Sequence, residues 1–149
     1  MAQVTTSAPR PIDVASRLRF AVMRLGRRLR QHSSADIAQS QLSALATIVR
    51  DGPLQLRDLA AAERVQPPTV TRIVELLVER GLVERTQDTA DRRVAWVGAT
   101  AEGRALVEQV RKRRDSYLAQ RLRTFEPDEL ALLERAAELL ERLCEDPDR

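Results

Sequence analysis

Apolar residues recur at helical spacing along several stretches of this chain, and the spacing changes once, near its middle. From about Ile12 to His32, Val14, Leu18, Ala21/Val22, Leu25 and Leu29 fall on one side and Arg fills the other, the pattern of an amphipathic helix. Gln39 to Arg50 repeats the pattern with Leu42, Leu45, Ala46 and Val49, and Asp51-Gly52-Pro53 stops it. Leu54–Leu56 reads as a short extended piece, Arg57–Ala62 as a short helix and Glu63–Gln66 as a turn. A helix then runs over Pro67–Arg80, with Pro67 suited to a first helical position whose N–H would have no partner anyway. After Gly81 the period shortens: Leu82–Thr86 and Arg93–Val97 predict two strands joined by the polar loop QDTADR. Thr100 is placed to cap a long helix reaching about Phe125, and Pro127 starts a last helix. That helix carries Leu130, Leu133, Ala137, Leu140 and Cys144 on one side, with Leu132, Ala136, Leu139 and Leu143 beside them.

The terminal stripes are wider than a small central core needs. The economical reading is a twofold dimer interface built by the two ends of the chain, with Val14, Leu18, Leu133, Leu140 and Leu143 among its contacts. A helical bundle closed within one chain is the alternative. Residues 1–11 read as a flexible N-terminal arm.

Charge is modest in sum, at +3, but strongly segregated. Residues 10–32 carry seven Arg against Asp13 alone, and residues 104–123 carry seven basic against two acidic groups. Residues 126–149 reverse the sign, with nine acidic and three basic groups. A chain basic where it can meet phosphate points to nucleic acid as a partner. No run is long and apolar enough for a membrane span or a signal peptide, and the one cysteine, Cys144, fits a reducing cytoplasm. Cys144 reads as a small buried hydrophobe on its stripe. His32 is the only His, so neither a zinc cluster nor a catalytic His arrangement is expected, nor any cofactor or enzymatic activity. Trp96 is expected to pack within the second strand, and the run Arg111–Arg114, which could track phosphate, to be solvated surface or dimer-region trim.

The chemistry concentrates between Pro67 and Thr100. Val70, Ile73, Val74 and Leu77 take one face of the 67–80 helix, leaving Thr69, Thr71, Arg72 and Glu75 on the other. Hydroxyls and a guanidinium near a helix N-terminus suit base edges and phosphates in a major groove. The loop carries Asp91-Arg92-Arg93 at the turn of a two-stranded ribbon, where an Arg can enter a narrow minor groove. Asp91 then serves to hold Arg92 or Arg93 in place. The competing reading is a protein-interaction module of the same fold, which calls for an apolar rather than a Thr/Arg-rich exposed face.

VQPPTVTRIVELLVERGLVER, followed by DRR and VAWVGATAEG, resembles the multiple-antibiotic-resistance regulator (MarR) family of winged helix-turn-helix repressors. The resemblance covers roughly residues 12–145. It implies a mainly α fold with a small β-wing: one domain over 12–149, with 12–38 and 104–149 as dimerisation helices and 39–103 as the winged DNA-binding lobe. It further implies a cytoplasmic homodimer on a pseudo-palindromic operator in double-stranded DNA, with release by a small-molecule effector that the sequence does not identify. By position, Pro67–Arg80 becomes the recognition helix, with Gln66, Pro68, Thr69, Thr71 and Arg72 facing DNA. Arg85–Arg93 becomes the wing, with Asp91, Arg92 and Arg93 at its working end. Three positions depart from the pattern. Arg64 replaces the usual Gly of the turn, which predicts either a strained or an altered turn. Gln66 replaces a Ser and is a poorer cap. Ala99 after Gly98 replaces a Leu, which predicts a looser junction into the helix from Thr100.

Overall fold

The computed structural model describes residues 8–33, 35–87 and 95–145. Among these the chain forms α1 (Pro11–His32), α2 (Gln39–Asp51), β1 (Leu54–Gln55), α3 (Leu56–Glu63), α4 (Pro67–Glu79), β2 (Val83–Gln87), β3 (Ala95–Ala99), α5 (Ala101–Leu122) and α6 (Pro127–Cys144). The chain divides into two units, one ending at Arg114 and the other beginning at Asp115, so that the break falls within α5. The fold is mainly helical with one small antiparallel sheet, as the sequence pattern predicts.

In the first unit the periodic positions of three helices meet one face of the sheet. Leu45 and Ile48 of α2, Leu59 of α3, and Val70, Ile73, Val74 and Leu77 of α4 are buried together with Val83, Val97 and Ala99. Each Val, Leu or Ile among them contributes roughly 1.5–3 kcal/mol when taken fully out of water, so the orientation of α4 is set by its apolar face. The sheet has three strands in the order β1-β3-β2 rather than two, because Leu54 and Gln55 pair with Val97 and Trp96. Trp96 lies in β3, half-buried, opposite Thr86 on the other side.

β2 begins one residue later than the pattern predicts, and β3 runs two residues further, to Ala99. Leu82 is consumed in ending α4: its N–H donates to the Leu77 carbonyl at 2.9 Å while that of Gly81 (φ 68°) donates to Val78 at 2.9 Å. This is a Schellman termination with Gly in the left-handed position. Pairing therefore starts at Val83, which faces Ala99, and continues to Gln87 opposite Ala95. Gly98 and Ala99 are thus strand residues in regular register, and Ala99 is buried. The looser junction predicted there is not what forms.

α1 buries no residue, and Ile12, Phe20 and Met23 stand exposed along with Val14 and Leu25. α1 begins at Pro11, one residue earlier than predicted. In the second unit the end of α5 leads through Thr124, whose hydroxyl donates to the Arg121 carbonyl at 2.9 Å, into α6. α6 opens with a capping box in which Glu129 accepts the Glu126 N–H at 2.9 Å and the Glu126 side chain accepts the N–H of the third helical residue. It too buries nothing: Leu132 and Leu143 are 69% and 71% exposed. Cys144 is exposed as well, so its reading as a buried hydrophobe does not hold for the chain alone, because no element of the described chain covers that stripe.

Candidate nucleic-acid interface

The geometry of α3, the following turn and α4 begins with a helix end. Arg64 adopts φ 53° and ψ 41°, its N–H donates to the Ala61 carbonyl at 3.2 Å and that of Val65 to Ala60 at 3.0 Å. The pattern repeats the one around Gly81, with Arg in the glycine position. The turn is therefore unaltered and strained, not rebuilt. Thr47, buried on α2, donates its hydroxyl to Glu63 Oε1 at 2.6 Å and ties α2 to the last residue of α3. Arg80, just past α4, donates to the Asp36 carbonyl, with the Asp36 carboxylate 3.8 Å away, and so ties the other end of α4 to the α1–α2 connection.

α4 separates into the two faces the sequence predicts. Val70, Ile73, Val74 and Leu77 are buried, while Gln66, Pro68, Thr69, Arg72 and Glu75 are exposed. Thr71 is the partial exception: it is half-buried and its hydroxyl donates to the Pro67 carbonyl at 3.0 Å. Its proton is spent on its own helix, so it retains only acceptor lone pairs and a methyl group for a base edge. Gln66 makes no side-chain cap, consistent with its being a weaker capping residue than Ser. On β2, Glu84, Arg85, Thr86 and Gln87 are exposed. Asp91, Arg92 and Arg93 lie outside the described residues.

Thr100 secures the base of the two strands. Its hydroxyl donates to the Gly81 carbonyl at 2.7 Å and accepts the Gly103 N–H at 3.0 Å, while its own N–H donates to the Leu82 carbonyl at 3.1 Å. One residue thus caps α5, closes the sheet and binds the end of α4.

The cations of this region are not equivalent. Arg50 is bound to Asp51 by two hydrogen bonds of 2.9 and 2.7 Å, and that hydrogen bonding and charge raise its pKa above the ordinary guanidinium value. Arg57 lies 3.5 Å from Asp58. Arg72 and Arg64 are exposed with no such partner among the described residues. Sequence reasoning missed Thr47, Glu63, Asp36 and Arg80 as supports of α4. A polar Thr47 amid the buried positions of α2 was the one available signal. Arg114, expected at a solvated or dimer-region surface, is half-buried, and its Nε donates at 2.9 Å to Ser33 Oγ, on a residue only 2% exposed.

Comparison with known proteins converges on one class. Residues 37–95 match the MarR family. An uncharacterized HTH-type transcriptional regulator of Mycobacterium bovis is 39% identical over 134 residues, spanning 89% of this chain and 94% of its own. The HTH-type transcriptional repressor MdtR of Bacillus subtilis is 31% identical over 94 residues, 63% of this chain and 61% of its own. A crystal structure of a Pseudomonas aeruginosa transcriptional regulator superimposes with a TM-score of 0.82 at 35% identity, covering 93% of this chain and 99% of that one. These are regulators, not enzymes. The chain belongs to the MarR family of winged helix-turn-helix, DNA-binding transcription regulators.

Proposed function

We propose that the chain works in the cytoplasm as a homodimeric, sequence-specific repressor. Two copies of α4 would enter successive major grooves of a pseudo-palindromic site, about one helical turn apart. The observation that carries this reading is the division of α4 into a buried apolar face and an exposed face bearing Thr69 and Arg72. A protein-docking module would need apolar residues there instead. The repressor sign is supported by MdtR, itself a transcriptional repressor.

Dimerisation is supported by the exposed apolar faces of α1 and α6, on which Val14 (43%), Leu133 (41%) and Leu143 (71%) are open to solvent and Leu18 and Leu140 only half-covered. A groove of about 420 Å³ along α1, lined among the described residues by Pro9, Asp13, Val14, Arg17, Leu18 and Ala21, suits a helix of a second copy. Small-molecule release would require an effector that binds one spacing of the two lobes better than another. Asp91, Arg92 and Arg93 are proposed as the wing's contacts, Arg93 entering the minor groove.

The test is a binding titration of the purified protein with a duplex from its own upstream region and with random DNA of equal length. Preference for the upstream duplex, weakening steeply with salt, is expected. Equal affinity for both removes the sequence-specific claim. Arg93→Ala should weaken binding strongly with the dimer intact, and unchanged affinity removes the wing assignment.

A further inference from the structure

α3 and α4 end in the same backbone motif, and one of the two carries the wrong residue for it. Gly81 supplies the left-handed conformation after α4; Arg64 supplies it after α3, at φ 53°. For an L-residue that conformation costs on the order of 1 kcal/mol, which glycine would avoid. The side chain retained there is exposed and charged, and it lies two residues before Gln66, the cap of α4.

Two further observations say what the charge serves. The adjacent acid does not neutralise it: Glu63 is held by the Thr47 hydroxyl at 2.6 Å, and Arg64 has no ion-pair or hydrogen-bond partner for its side chain among the described residues. The start of α4 is also poor in main-chain donors. A helix N-terminus ordinarily offers a phosphate its first N–H groups. Here the first two positions are Pro67 and Pro68, which have none, and the N–H groups of Thr69 and Val70 turn back to the Gln66 carbonyl at 3.0 and 3.2 Å. A phosphate beside this terminus must therefore be held by side chains.

We infer that Arg64 is a DNA-backbone contact of this chain, its guanidinium binding a phosphate that flanks the groove α4 enters. The contact positions the lobe and carries no base readout. The Thr47–Glu63 bond keeps the neighbouring carboxylate from competing for it. This inference rests on α4 being the recognition helix.

The test uses the full chain as wild type, Arg64→Asn and Arg64→Lys, titrated against the upstream duplex and a random duplex over a series of salt concentrations, with thermal unfolding in parallel. Asn tolerates the left-handed backbone and removes the charge. Arg64→Asn should weaken both duplexes by a similar factor, on the order of tenfold. Its log-affinity against log-salt slope should shrink by about 2, one phosphate from each lobe of a dimer at ~0.9 per phosphate. Arg64→Lys should keep the slope, and the Tm of both variants should stay within about 4 °C of wild type. Weaker binding at an unchanged slope would mean that Arg64 only shapes the turn, and would overturn the inference, as would unchanged affinity or a loss confined to the upstream duplex. Wild-type protein that binds neither duplex would instead overturn the recognition-helix reading.

Discussion

Gly103→Ala should destabilise this protein although it exchanges the poorer helix former for the best one. Gly103 is buried in the first turn of α5, and a Cβ built on it would lie 2.1 Å from the Leu82 carbonyl oxygen, 3.1 Å from its carbon and 3.2 Å from Leu45 Cδ1. Carbon and carbonyl oxygen meet comfortably at about 3.3–3.6 Å, so α5 and the end of α4 must part by roughly an ångström. The oxygen cannot simply yield. It accepts the Thr100 N–H at 3.1 Å, and the Leu82 N–H is itself bound to Leu77 at 2.9 Å. Movement of α5 would stretch the Thr100–Gly103 cap as well. Forcing an extra carbon into packed surroundings costs about 1–3 kcal/mol and occasionally more, against a helix gain of up to about 1 kcal/mol for Ala over Gly. A contact of 2.1 Å puts the cost at the top of that range, so the net expectation is a loss of about 2 kcal/mol, which in a chain of this size lowers Tm by about 6 °C. Gly81→Ala is the control. Nothing among the described residues lies within 4 Å of its added Cβ, so only the left-handed strain of about 1 kcal/mol remains. Circular-dichroism melting and urea titration of both variants decide the matter: a Gly103→Ala protein as stable as wild type, or no worse than Gly81→Ala, refutes the steric argument.

Thr47→Val, nearly equal in volume, should lower the urea midpoint by the equivalent of about 1 kcal/mol, because Glu63 loses a charged hydrogen bond yet is exposed enough to rehydrate. The same variant should weaken DNA binding by freeing the carboxylate beside Arg64; a midpoint and affinity both equal to wild type would show that the 2.6 Å contact supports neither. Leu133→Glu combined with Leu140→Glu places charges on the apolar face of α6 and should convert the proposed dimer to monomer in sedimentation velocity while leaving the first unit folded. A dimer that persists at micromolar concentration would exclude that face as the interface.

What was legible in the sequence followed the range of the interactions that decide it. The helices and their ends were readable because the period of Val70, Ile73, Val74 and Leu77 and the punctuation by Pro67 and Gly81 act within a few residues. The start of β2 differs from the pattern by one residue because Leu82 has two local uses, ending α4 or opening β2. Only the bond back to Leu77 chooses between them. The local pattern at Leu54–Gln55 predicts extended backbone but no sheet strand, since its partners Val97 and Trp96 lie some forty positions away and no local pattern announces the pairing. The same holds for the supports of α4: Thr47 and Glu63 are 16 residues apart, Asp36 and Arg80 are 44 apart.

Arg64 shows how sequence and structure divide the work at the candidate site. As a letter in the chain it was only an anomaly, compatible with a rebuilt turn in which the glycine requirement had vanished. The hydrogen bonds to Ala60 and Ala61 and the positive φ remove that option: the requirement persists and the chain violates it. A persistent local cost of about 1 kcal/mol points to a compensation outside the turn. Within the described residues the side chain meets nothing that could supply it, since the one adjacent carboxylate belongs to Thr47. The compensation is then to be sought in a partner that is an anion, and it would be collected only in the bound state. That is why the charge-removing variant should separate the two quantities, leaving stability close to wild type while the salt dependence of DNA binding falls.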